Sequence, residues 1–156
     1  MKYSRLTKEQ LEELHQEFIN FLATQSITAK EWDTIKKDQP QVAEEELDVF
    51  SDLIWEGVLT KVRFLEHFSP NQIHLFHLGE DKMQLIAIKV ESEGIDLTTT
   101  EGYEWLRDNL LDDSVNLFNA NKEYGADKNL DKFQLIQQGA QITKGELYQY
   151  FDKLVG

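Results

Sequence analysis

Apolar positions follow two rhythms along this chain. Between Val62 and Val90 they form three short runs, VRFLEHFS, QIHLFHLG and KMQLIAIKV, separated by Pro70-Asn71 and by Gly79-Glu80-Asp81. Runs of that length, rich in Val, Ile, Phe and Leu and broken by those residues, predict a three-stranded antiparallel meander. On either side the apolar residues recur three and four apart, which predicts amphipathic helices. The whole pattern predicts one α+β domain over residues 1–156, with the meander packed against N-terminal and C-terminal helices.

Turn positions fix the pairing. A turn at Pro70-Asn71 sets His67 opposite His74, and a turn at Glu80-Asp81 sets Leu75 opposite Ile86. Alternation then places Val62, Phe64, Phe68, Ile73, Leu75, Ile86, Ile88 and Val90 on one face, interrupted by Glu66, His77 and Gln84. The other face carries Leu65, Phe76, Leu78, Met83, Leu85 and Ala87, together with Arg63, His67, His74 and Lys89. Both faces are too apolar for water, so the second requires a helix or another chain over part of it.

Helix starts are marked by one recurring device: an apolar residue, a capping Thr, and Glu or Gln three positions on. It occurs at Leu6-Thr7-Lys8-Glu9-Gln10-Leu11, at Ile27-Thr28 with Glu31, at Thr98 with Glu101, and at Ile142-Thr143 with Glu146. The predicted helices cover about 8–24, 29–37, 41–58, 99–111, 128–138 and 144–154, and the strands about 61–68, 72–78 and 83–90. The third helix should bury Leu47, Phe50, Leu53, Ile54 and Val58; the last should bury Leu147, Tyr150, Phe151 and Leu154. Val115-Asn116-Leu117-Phe118 suits either a helical turn or a fourth strand and is read as helix, while Asn119 to Lys128 reads as a mobile loop.

Composition narrows the function. Sixteen basic against 29 acidic residues give a net charge of −13, spread as −7 over residues 1–60, +1 over 61–90 and −7 over 91–156. A near-neutral ribbon inside an acidic coat argues against nucleic acid and anionic membranes as ligands. No stretch approaches the length of a membrane span and no signal-peptide core opens the chain. The absence of cysteine removes disulfides and thiolate chemistry and suits a cytoplasmic protein.

The runs LTKEQLEELHQEFINFLATQSIT, ELDVFSDLIWEGVL and DKFQLIQQGAQITKGELYQYF resemble an uncharacterised bacterial family of small acidic proteins, a domain of unknown function. That resemblance spans nearly the whole chain and implies a bacterial cytoplasmic protein. It transfers no activity and no functional residue.

Candidate chemistry is sparse. Glu44, Asp48, Asp52 and Glu56 stand four apart and form a row of like charges, which costs a helix roughly 0.2–0.5 kcal/mol per pair unless a cation or basic partner offsets it. With the neighbouring Trp55, this row is the candidate partner-binding surface. Against it stands the plainer reading of a solvated outer face. Arg63, His67 and His74 share the second sheet face and form a candidate small-molecule or metal site, although a third metal ligand is missing from that face. Half-wet sheet surfaces often carry such histidines for packing alone. The Glu12–His15 spacing of di-iron helices occurs once, without a matching partner, so no metal is assigned. No nucleophile elbow, phosphate-binding glycine loop or metalloprotease helix is present, so neither a catalytic residue nor a cofactor is assigned. The expectation is a non-enzymatic protein-interaction domain whose partner is another protein, with homo-oligomers possible. A ligand-binding domain or small enzyme at Arg63, His67 and His74 is the alternative, and an acidic mimic of nucleic acid a third.

Overall fold

The computed structural model describes residues 1–155, and the contacts within it group the chain into two compact units, Met1–Thr60 and Lys61 onward. Each is built from its own sequence logic.

The first unit is helical: α1 Lys8–Glu13, α2 His15–Thr24, α3 Ala29–Asp38 and α4 Pro40–Lys61. Thr7 accepts from the Gln10 amide and the Gln10 side chain accepts from the Thr7 amide, the reciprocal cap expected there; Thr28 caps α3 through the Glu31 amide. The continuous helix expected over 8–24 is divided at Leu14, whose backbone (φ −97°, ψ 22°) leaves the helical range. The core is aromatic. Phe18 meets Trp32 at 5.1 Å and Phe50 at 5.0 Å between ring centroids, both edge to face, with Leu6, Leu22 and Ala43 buried around them. Ala43, Leu47, Phe50 and Ile54 fill the inward stripe of α4. Leu53 and Val58 were expected there too, but both are exposed, Leu53 at 55%. Leu53 lies about 100° round the helix from Ile54, outside that stripe.

The second unit holds the meander, and it is larger than three strands. β1 Phe64–Ser69, β2 Gln72–Leu78 and β3 Lys82–Val90 pair in the expected register, with His67 facing His74 and Leu75 facing Ile86. After α5, Thr100–Asp108, the segment read as helix and loop is instead a nine-residue strand, β4 Val115–Glu123, antiparallel to β3. After α6, Lys128–Gln137, a three-residue β5, Gln141–Thr143, pairs with the free side of β1 before α7, Glu146–Val155. The result is a five-stranded antiparallel sheet ordered β4-β3-β2-β1-β5.

Two expected caps are displaced. Thr143 was expected to cap α7, but it is held in β5, and its hydroxyl accepts from the Gly145 amide, one residue short of the position a capping box requires. The cap of α5 is Thr99, which accepts from the Gly102 amide, and Thr98 instead closes a turn on the Asp96 carboxylate. That turn holds the Asp96 carboxyl below the usual range through the hydroxyl and amide of Thr98.

Both faces are covered. Ile73, Leu75, Ile86, Ile88 and Val90 pack with Leu106 of α5 and Tyr148 and Phe151 of α7, and Ile86 is 1% exposed. Leu65, Leu78 and Met83 pack on the other side with Leu135 and Ile136 of α6. The cover expected over the second face is therefore a helix of the chain itself. Val62, assigned by alternation to the first face, belongs to this second cluster because it precedes β1. Lys132 of α6 is almost completely buried, and its ammonium donates to the Val62 carbonyl at 3.1 Å. Burial, with Arg63 and Lys128 nearby, pushes its pKa down.

Candidate functional site

The carboxylate row on α4 is matched by residues 2–6. The amides of Lys2 and Tyr3 donate to the two oxygens of Asp52 at 2.8 and 3.0 Å, and the Tyr3 hydroxyl donates to Glu56 at 2.5 Å. Arg5 bonds both Asp48 (2.7 Å from Nε) and Glu44, and the Leu6 amide reaches the buried Ser51 hydroxyl at 3.1 Å. Tyr3 thus meets Asp52 and Glu56, and Arg5 meets Asp48 and Glu44, so two residues of one segment serve all four carboxylates of the row. The like-charge cost in the helix is offset by this clasp. Tyr3 is driven up to about 12, first by burial and then by Glu56. Trp55 packs against the aromatic core. A basic and hydrogen-bonding counterpart to the row thus lies in the same chain.

His67 and His74 face each other across β1 and β2 on one sheet face, while Arg63 lies just before β1. The His67 and His74 rings stand 6.4 Å apart and nearly perpendicular, and His74 exchanges a hydrogen bond with Gln72 at 3.1 Å. Burial and the neighbouring His67 lower the His74 pKa. His67 is roofed by the backbone after α6. Gly139 takes φ +115°, and a Cβ there would sit 3.0 Å from His67 Nε2. Arg63 is exposed and donates to the Val62 carbonyl at 3.2 Å. None of the three lines the cleft above Glu66 or the cavity beside Ala120, and no three His, Asp or Glu side chains among the described residues converge as a metal requires.

A cleft of about 730 Å³ opens on the opposite face. Its base is Glu66, the acidic interruption in the apolar stripe of β1, flanked by Phe68. The walls come from two helices. Tyr103 and Arg107 stand one turn apart on α5, and Leu147 and Tyr150 rise from α7, with Lys144 and Glu146 at the rim. Phe68 and Tyr103 rings pack at 6.3 Å. Thr143 sits beside Glu66 because β5 extends the sheet there; its hydroxyl bonds the Glu66 carboxyl and accepts from the Gly145 amide. Burial nonetheless outweighs that bond and raises the Glu66 pKa. Tyr103 is raised as well, by burial first and by Glu66 second, so its phenol stays neutral. Tyr150 and Leu154 were expected to pack α7 but are about half exposed, because the helix buries Tyr148 and Phe151 instead.

This arrangement is a cleft of small-molecule size with a carboxyl group set among apolar side chains at its base, two phenols and four ionisable groups of both signs. Sequence reasoning singled out Glu66 only as a blemish in a core face. Tyr103, Arg107, Lys144 and Tyr150 come from segments that nothing in the sequence draws together.

Fold and cleft thus define a small α+β protein with a half-polar cleft on one face of an antiparallel sheet. The chain belongs to DUF6495, a family of unknown function, whose model matches residues 1–156. No curated protein and no solved structure matches it. Among the described residues no helix is long and apolar enough to cross a membrane.

Proposed function

We propose that the protein binds a small organic ligand in the cleft above Glu66, without chemical conversion. The observation that carries this reading is a carboxylate placed in an apolar sheet face, its pKa raised by burial, that opens into a cleft of about 730 Å³. A desolvated carboxylate there gains most from a ligand that brings an ammonium or other strong donor to it. Arg107 and Lys144 supply the complementary positions for an anionic group, and Tyr103, Tyr150, Phe68 and Leu147 face an apolar or aromatic body. The ligand class is therefore zwitterionic, an amino acid derivative or short peptide.

Thermal unfolding with free amino acids and di- and tripeptides at about 10 mM tests it, since a ligand at 100 times its Kd stabilises by about 2.7 kcal/mol. At least one aromatic or aliphatic member should raise the melting temperature of the wild type. Glu66→Gln and Arg107→Ala should each weaken its binding by about tenfold or more, the loss of one charge-assisted contact. A flat response from the whole panel, or equal shifts in both variants, would overturn the reading.

The protein-interaction role expected from sequence has support of a different kind, in the open edge of the sheet.

A further inference from the structure

β4 ends the sheet, so one side of its nine-residue backbone pairs with β3 and the other is without a strand partner among the described residues. An edge of that length is a template for another strand, and proteins usually guard it with lysine, proline or a bulge. Here the guard is weak. VNLFNANKE carries one Lys and one Glu, both at its end, in a chain of net charge −13, and Phe118 is 55% exposed.

The register of the sheet identifies what fits. Ile142, Leu65, Phe76, Leu85 and Ala120 lie opposite one another in turn and form an apolar row across all five strands. At its β4 end the row stops at Ala120, the smallest of them, and there a cavity of about 370 Å³ opens, lined by Phe76, Met83, Leu85 and Leu135. A large apolar side chain delivered opposite Ala120 would extend the row and cover the mouth of the cavity.

We infer that β4 pairs antiparallel with β4 of a second copy about a two-fold axis at Asn119, seating Phe118 of each chain opposite Ala120 of the other. Only an even register about that residue achieves this, and it does so twice by symmetry. The same register sets Asn116 against Lys122, Leu117 against Asn121 and Val115 against Glu123, so no like charges meet. The Asn119 side chains meet on the axis, where each amide both donates and accepts. Nine paired residues span about 30 Å, which alone falls short of the ~1,200 Å² of a stable interface. Two Phe side chains add to it, at 150–250 Å² each when fully buried. The dimer is therefore weak and concentration-dependent, and because both partners are acidic it tightens as salt rises.

Sedimentation of the full chain from about 10 μM to about 1 mM, at low and high salt, measures this. The wild type should shift from monomer to dimer, with a larger dimer fraction at high salt. Phe118→Ser should weaken the dimer by about tenfold or more. Asn119→Lys and Asn119→Asp should each be monomeric alone, through like charges on the axis, and should form a heterodimer when mixed. A wild type that stays monomeric throughout overturns the inference. So does a dimer that Phe118→Ser leaves intact, or a Lys/Asp mixture that fails to associate, since either places the contact elsewhere.

Discussion

Replacing Gly102 by alanine should destabilise the sheet-bearing unit by about 4 kcal/mol or more, among the largest effects a single substitution produces. Gly102 sits in the first turn of α5, where its amide donates to the capping Thr99 hydroxyl at 3.0 Å. A Cβ at this position would lie 1.8 Å from the Asp96 carbonyl oxygen. That oxygen cannot swing aside, because it accepts both the Thr99 amide at 3.1 Å and the Thr99 hydroxyl at 2.7 Å. Relief of the clash must break the cap or move α5, whose Leu106 is fully buried under the sheet. Against a total stability of roughly 5–15 kcal/mol this leaves little margin. Gly57 supplies the control of opposite sign: it lies inside α4, and a Cβ there meets nothing within 4 Å. Gly57→Ala should stabilise by about 0.5–1 kcal/mol, through helix propensity and a less free unfolded chain. Chemical denaturation of both variants against the wild type reads the contrast.

Removing residues 1–5 should cost the helical unit on the order of 3 kcal/mol and reverse its response to salt. The segment brings two backbone donors to Asp52, the Tyr3 hydroxyl and Lys2 ammonium to Glu56, and the Arg5 guanidinium to Asp48 and Glu44. Hydrogen bonds to charged groups contribute about 1.5–3 kcal/mol each when sheltered, but several of these side chains are partly exposed, so the sum is far below the count. Tyr3 adds burial, being 8% exposed. In the wild type salt screens attraction between the clasp and the row. In the truncated chain four carboxylates one turn apart repel one another, and salt screens repulsion. The melting temperature of the truncated protein should therefore rise with salt relative to that of the wild type. An unchanged difference across salt concentrations would show that the clasp contributes only packing.

The two hairpins were legible because their turns are short and their strands alternate cleanly; Pro70-Asn71 and Glu80-Asp81 each leave one register that buries Ile73, Leu75, Ile86 and Ile88 together. β4 was not. Its residues from Phe118 onward are exposed, so no burial pattern marks them, and Asn and Ala have little preference for strands. It is a strand because β3 offers it a full backbone ladder. β5 was hidden by Ile142-Thr143, which in sequence is indistinguishable from the start of a capping box; pairing with β1 outcompetes the cap. The acidic row was visible as an anomaly, yet its partner precedes it by about 40 residues and carries no pattern of its own. The cleft was least legible of all. Glu66 stood out only as a polar break in an apolar stripe, and its neighbours arrive by tertiary packing of α5 and α7.

Everything proposed for the cleft depends on Glu66 being a carboxylate that folding strips of water. Such a group binds its proton more tightly in the folded chain, so its contribution to stability is complete below the ordinary glutamate value and is lost as pH rises through the raised one. Carbon-13 detection of the Glu66 carboxyl through a pH titration reads this directly. A midpoint above the ordinary value of ~4.3 is the predicted result, moving down when a zwitterionic ligand brings its ammonium to the site. A midpoint at or below the ordinary value would mean a hydrated or already paired carboxylate, and would contradict the account.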